Sequence, residues 1–204
     1  MDLKLKGLYG ISDDLLTPSE KIFEMLYQAI LGGLKIFQLR DKIQSDTALL
    51  ELAIKIRDFC FQNDVLFVIN DRVELAIKIN APALHIGSED CSLLEAKRHF
   101  KGKIGVSCYD RLDLALQAQK NGANYVAFGA FFASQTKPEA KKIPLDILKE
   151  AKKILKIPIC AIGGIDCQNA IELKQADMIA VIGGLWRGNV QKNAQLLLKN
   201  WQEK

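Results

Sequence analysis

Short apolar runs recur along the chain, each closed by a polar or glycine-rich turn and then followed by apolar residues spaced three and four apart. The runs are Gly7 to Ile11, Lys35 to Leu39, Val65 to Ile69, Ala83 to Ile86, Ile104 to Val106, Tyr125 to Phe128, Ile159 to Ile162 and Met178 to Ile182. Their length and β-branched content read as buried strands. Between them Ile22, Met25, Leu26, Ala29 and Ile30 share one helical face, as do Leu49, Leu52, Ala53 and Ile56, and again Ile147, Leu148, Ala151, Ile154 and Leu155. Shorter helical stretches surround Leu75, Leu94 and Leu116, and Leu196, Leu197 and Trp201 mark a closing helix. Thr17-Pro18-Ser19-Glu20 has the form of a capping box with proline at the first helical position, and Gly32-Gly33 stops the helix that follows. Eight rounds of strand then helix in 204 residues predict an α/β protein, a compact (β/α)8 TIM barrel forming a single domain over residues 1–204. An open doubly wound sheet fits less well, because the strands are evenly short and no GxGxxG opens the first helix.

In a barrel of this kind every strand delivers its C-terminal end to one face, where the chemistry sits. Arg40, Asp41 and Lys42 then converge with Asn70, Asp71, Asp90, Ser107, Gly129, Gly163-Gly164 and Gly183-Gly184. Arg40 offers a planar fork for phosphate oxygens and Lys42 a mobile point charge, a pair suited to a diphosphate. Asp71 and Asp90 follow neighbouring strands and supply two hard carboxylates, which with phosphate oxygens and water suit Mg²⁺. Each acid alone is equally well a helix N-cap. The glycine pairs after strands seven and eight suit a phosphate held on backbone N–H groups. The stretch from Gly129 to Pro138, with Ser134, Thr136 and Lys137 near its tip, reads as a lid. Phe131 and Phe132 are expected in the core, Cys108 as a small packed residue, His85 inside strand four and His99 on a helix surface.

Composition narrows the classes. Five cysteines without a CxxC pair, and two histidines, argue against a disulfide frame or a zinc site and for free thiols in a reducing, cytoplasmic compartment. The net charge of +4 is spread along helical segments, which disfavours nucleic acid and suits small anionic substrates. No apolar run is long enough to span a membrane, and the first residues lack the apolar core of a signal peptide.

Six motifs then stand in order: Gln38-Leu39-Arg40-Asp41-Lys42, Val68-Ile69-Asn70-Asp71-Arg72, His85-Ile86-Gly87-Ser88-Glu89-Asp90, Gly105-Val106-Ser107, Ser134-Gln135-Thr136-Lys137 and Ala161-Ile162-Gly163-Gly164-Ile165. On these motifs the chain resembles the thiamine-phosphate synthase family over nearly its whole length. The resemblance implies a Mg²⁺-dependent transferase that joins hydroxymethylpyrimidine diphosphate to a thiazole phosphate and releases diphosphate. It implies that Gln38, Leu39, Arg40, Asp41, Lys42, Asn70, Ser107 and Lys137 hold the pyrimidine diphosphate. Arg40, Lys42, Ser107 and Lys137 would be catalytic, and Asp71 and Asp90 would hold the metal. Ser134, Gln135, Thr136, Gly164, Ile182 and Gly183 would receive the thiazole phosphate.

The chain departs from the family pattern at Ala130 and Ala133, where proline is common, at Ser134, where threonine is common, and at Gly183, where serine is common. Tyr109 stands where a histidine is usual, which counts against the related thiazole tautomerase, in which that histidine looks catalytic. A catalytically silent binding protein for thiamine intermediates is the reading from another class, and an intact metal pair argues against it. The expected partners are small-molecule substrates, with no nucleic acid and no membrane, in a chain compatible with a homo-oligomer.

Overall fold

A computed structural model describes residues 4–87, 90–133 and 141–202. The strands are β1 (Gly7–Ile11), β2 (Ile36–Leu39), β3 (Leu66–Asn70), β4 (Ala83–Ile86), β5 (Lys103–Tyr109), β6 (Tyr125–Phe128), β7 (Ile159–Ile162) and β8 (Met178–Val181). They close into a barrel in chain order, every neighbouring pair parallel, with β8 returning to β1. The helices are α1 (Ile22–Leu31), α2 (Asp46–Gln62), α3 (Val73–Lys78), α4 (Leu93–His99), α5 (Leu112–Lys120), α6 (Asp146–Ile154), α7 (Gly183–Trp186) and α8 (Val190–Gln202). The chain is therefore a (β/α)8 barrel, as the strand and helix rhythm predicts.

Strand alternation divides the apolar residues into two cores. Tyr9, Ile11, Ile36, Leu66, Val68, Ala83, Tyr125, Ala127, Cys160, Met178 and Ala180 fill the barrel interior. Leu8, Phe37, Leu39, Phe67, Ile69, Leu84, Phe128 and their alternates point outward, where they pack with the helix faces that carry Leu26, Ala53, Ile56, Leu148 and Leu197. The interior is filled rather than hollow, and the cavity that carries the strand-end side chains lies above it.

Three local expectations are corrected. The Thr17 to Glu20 capping box does not form: Thr17 Oγ1 accepts from Asp13 N and donates to Asp13 O, both at 2.9 Å, so its hydroxyl closes the β1–α1 loop. Helix α1 instead starts after Lys21, with no side-chain cap. The connection from β7 to β8 carries a single 3₁₀ turn, Ala170–Leu173, in place of an α-helix. Asp166 and Asn169 exchange side-chain and backbone bonds of 3.0 and 3.1 Å just before it and tighten the chain into that turn. Ile154, expected on the buried face of α6, is its exposed last residue. Phe131 and Cys108 are buried, His85 lies within β4, and His99 ends α4 in solvent.

Candidate active site

At the C-terminal end of the barrel lies a cavity of about 290 Å³, lined among others by Gln38, Arg40, Lys42, Asn70, Asp71, Asp90 and Ser107. Residues separated by up to 173 positions in sequence, Tyr9 and Ile182, thus share one opening, because the parallel strands stop at the same level.

Each charged group is held by its own strand end. Ser12 clamps the backbone of Arg40, accepting from its N at 2.7 Å and donating to its O at 3.0 Å, so the end of β1 fixes where β2 stops. In the loop after β2, Asp41 accepts from the backbone N–H of Ile43 at 2.8 Å and of Gln44 at 2.7 Å, and from Gln44 Nε2 at 2.8 Å. Arg72 holds the same loop from below: Nη1 binds Asp46 at 2.5 Å, and Nη2 donates to the carbonyls of Asp41 and Gln44 at 2.7 Å each. Lys42 is carried on this braced turn.

Asp71 sits in the left-handed region with φ 60°, and its N–H bonds His85 O at 2.8 Å across β3 and β4. An acidic residue tolerates that conformation better than most, and such strain concentrates at working sites. Its carboxylate accepts from Asn70 Nδ2 at 2.5 Å and pairs with Lys42. Asp90 returns to the same point, accepting from Gly87 N at 2.6 Å. Burial, and then its hydrogen-bond contact with the Asp71 carboxyl, raise the Asp90 pKa above the ordinary carboxylate value. Two acids pressed together facing an open cavity are a donor set for a hard cation, which would relieve their repulsion. No group of three or more metal-binding side chains occurs among the described residues, so other oxygens must complete any such site.

The barrel interior continues into the cavity floor as a chain of polar side chains. Gln38 Nε2 lies 2.6 Å from Tyr9 Oη, Tyr9 Oη 2.9 Å from Tyr125 Oη, and His85 bridges Tyr125 Oη and Ser107 Oγ at 2.9 Å each. Burial lowers the His85 pKa to about 4, although its cavity edge keeps part of its surface open, and the imidazole is neutral at physiological pH. Gly105 makes room for this arrangement: a Cβ there would lie 2.0 Å from Tyr125 Cζ.

Of the residues expected to bind substrate, two take other positions. Leu39 points outward into the helix-facing core, because it alternates with Gln38 and Arg40. Asp41 is spent on its own loop and does not line the cavity. Ile182 lines the cavity and precedes α7, whose first residue is Gly183. Gly164, with φ 62°, lies beneath the segment after β6, where a Cβ would stand 2.2 Å from Ala133 O. That segment is strapped to the end of β7 by Phe131 N to Ile162 O at 3.1 Å and Phe132 N to Gly163 O at 3.0 Å. Ser134, Gln135, Thr136 and Lys137 lie outside the described residues, as do Ser88 and Glu89.

The wall also contains Tyr9, Ile11, Tyr109, Ala127, Ala130, Cys160, Gly163 and Ala180. Tyr9 and Cys160 lie two residues before the last residue of β1 and β7, so counting back by two along those runs is the signal that would find them. Tyr109 follows a shift of register between β5 and β6 and has φ 54°.

Comparison with known proteins places the chain in a family. Residues 8–185 match the family model described as thiamine monophosphate synthase. A thiamine-phosphate synthase of Wolinella succinogenes is 47% identical, covering 99% of this chain and 97% of its own length. That of Thioalkalivibrio sulfidiphilus is 40% identical, covering 90% of this chain and 89% of its own length. The solved structure of thiamine phosphate pyrophosphorylase from Pyrococcus furiosus superposes with a TM-score of 0.87 at 34% identity, covering 97% of this chain and 96% of that one. The chain accordingly belongs to the thiamine monophosphate synthase family, transferases of thiamine biosynthesis.

Proposed function

We propose that the protein condenses 4-amino-2-methyl-5-hydroxymethylpyrimidine diphosphate with a thiazole phosphate, giving thiamine phosphate and diphosphate. The observation that carries this reading is the meeting of Arg40, Lys42, Asn70, Asp71, Asp90 and Ser107 around one cavity. Two cations face two acids there, the arrangement that a diphosphate and its counter-ion require.

In the reaction the bond between the pyrimidine methylene carbon and the diphosphate oxygen breaks, and its electron pair leaves with diphosphate. The thiazole nitrogen lone pair then forms the new C–N bond. No protein nucleophile takes part. Arg40 and Lys42 bind the diphosphate and stabilise the charge that builds on its oxygens, a role that Lys137 shares in this reading. Asp71 and Asp90 would hold Mg²⁺, which when bound neutralises the leaving group. Gln38, Asn70 and Ser107 orient the pyrimidine so that both substrates lie in line, which is the larger part of the catalytic task. Ser134, Gln135, Thr136, Gly164, Ile182 and Gly183 receive the thiazole phosphate, and the segment after Gly129 excludes water from the cation. A cytoplasmic setting fits the five free cysteines; among the described residues no helix is long and apolar enough to cross a membrane.

The test is incubation of the purified protein with both substrates, with Mg²⁺ or with EDTA, and detection of thiamine phosphate as fluorescent thiochrome. Metal-dependent product is the expected result. Folded protein that makes no product with Mg²⁺ would overturn the reading.

A further inference from the structure

Five side chains from five strands are joined end to end through the barrel: Gln38, Tyr9, Tyr125, His85 and Ser107. Both ends, Gln38 and Ser107, line the cavity. The two tyrosines between them are buried, with Tyr9 at 1% and Tyr125 at 0% exposure, so their hydroxyls must find partners within the chain itself.

Two arrangements satisfy every member. In the first, Gln38 donates to Tyr9, Tyr9 to Tyr125, Tyr125 to His85 Nδ1, and His85 Nε2–H to Ser107. The Ser107 proton is then free for the cavity, and Gln38 presents its carbonyl oxygen there. In the second, the Gln38 carboxamide is turned over and every bond reverses: Ser107 donates to His85 Nε2, Nδ1–H to Tyr125, Tyr125 to Tyr9, and Tyr9 to the Gln38 carbonyl. Gln38 now presents N–H groups and Ser107 its lone pairs. A carboxamide neither takes up nor releases a proton in this range, so the chain is no proton wire. It carries donor or acceptor identity from one side of the cavity to the other.

We propose that this circuit makes its two cavity ends obligatory opposites, so that Tyr9, Tyr125 and His85 act as positioning residues that select a heterocycle edge pairing one donor with one acceptor. The amine and adjacent ring nitrogen of a 4-aminopyrimidine form such an edge. The inference rests on the pyrimidine reading above. A 4-oxo pyrimidine offers the same pair reversed and is accommodated by reversing the circuit. A 4-methoxy pyrimidine offers two acceptors, leaves one end mismatched in either direction, and is rejected by about 10- to 100-fold.

The test compares binding of the 4-amino, 4-oxo and 4-methoxy forms of 5-hydroxymethyl-2-methylpyrimidine diphosphate by calorimetry with Mg²⁺ and without thiazole phosphate. In parallel, the tautomer of His85 is read by two-bond ¹H–¹⁵N correlation, simplified because the chain has two histidines. The expected result is similar affinity for the first two ligands, opposite His85 tautomers in their complexes, and rejection of the third. Tyr125→Phe cuts the circuit while leaving both ends in place, and should abolish most of the 4-methoxy rejection. The same His85 tautomer in both complexes, or undiminished rejection in folded Tyr125→Phe, overturns the proposal; if that variant does not fold, the wild-type tautomers decide. Product formation with an unchanging tautomer removes the circuit and leaves the synthase reading, whereas a switching tautomer without product does the reverse. Failure of all three ligands to bind overturns both.

Discussion

Lys42 rests its ammonium on the carboxylate of Asp71, so the cation assigned to diphosphate and an acid assigned to the metal neutralise each other. The pair is open to solvent on the lysine side, with Lys42 at 51% and Asp71 at 17% side-chain exposure. Its strength is therefore about 1 kcal/mol or less. The consequence is a competition: a cation bound at Asp71 must displace Lys42, which is then free to meet the diphosphate. Lys42→Gln should weaken diphosphate binding and yet tighten Mg²⁺ binding to the substrate-free protein, by up to about fivefold. Calorimetric titration with Mg²⁺ alone checks this, and equal or weaker metal affinity in the variant would show that the pair does not compete.

Asp71→Asn should lower turnover at limiting Mg²⁺ on the order of a hundredfold while leaving the melting temperature nearly unchanged. Asparagine keeps the shape and tolerates the φ of 60° that Asp71 adopts, so the backbone has no reason to move. Thiochrome rates across a Mg²⁺ series, alongside thermal melts, separate the two effects. Undiminished turnover at low Mg²⁺ would refute the metal assignment.

The barrel was legible in the sequence because each strand is a short apolar run punctuated by a polar or glycine turn, and those punctuation marks also rim the cavity. Arg40, Asn70, Asp71, Asp90 and Ser107 line it for that reason. Orientation was harder. Leu39 stands between Gln38 and Arg40 in the motif but faces the helices, and only strand alternation separates them. Asp41 has the composition of a ligand, yet its oxygens are taken by Ile43 and Gln44. The Gln38 to Ser107 circuit could not be read from spacing, since it depends on which residues of β1, β2, β4, β5 and β6 meet at one height inside the barrel.

Arg72 spans Asp46, the Asp41 carbonyl and the Gln44 carbonyl with one guanidinium. A lysine cannot reproduce that fork. Arg72→Lys should cost about 1–3 kcal/mol of stability and raise KM for the pyrimidine diphosphate more than it lowers kcat, because the loop carrying Lys42 loosens. Chemical denaturation and steady-state kinetics measure the two parts, and an unchanged KM would mean that the loop holds its shape without Arg72.

Thiol reactivity provides a check on packing. Cys60, Cys108 and Cys160 are buried, and burial pushes the Cys108 thiol up to about 12 and raises Cys60 and Cys160 further above the ordinary thiol value. Each is a thiol at pH 8, and its thiolate fraction grows only as pH approaches these values. Iodoacetamide at pH 8 should therefore modify Cys91 and Cys167 in the native protein and spare the other three, as read by peptide mass spectrometry. Rapid labelling of Cys160 would show that the barrel interior opens.

Gly105→Ala tests how the floor of the cavity is built. A Cβ at this position would lie 2.0 Å from Tyr125 Cζ and 2.5 Å from its Oη, deep in the filled interior where the ring has little room to retreat. The clash should cost about 1–3 kcal/mol and push Tyr125 away from Tyr9 and His85. If the ring is the obstacle, replacing it should return part of the loss: Gly105→Ala with Tyr125→Leu should be more stable than the sum of the two single changes predicts, a coupling expected only of residues in contact. Additive losses in the double-mutant cycle would mean that the barrel relieves the clash by moving β5 instead of the ring.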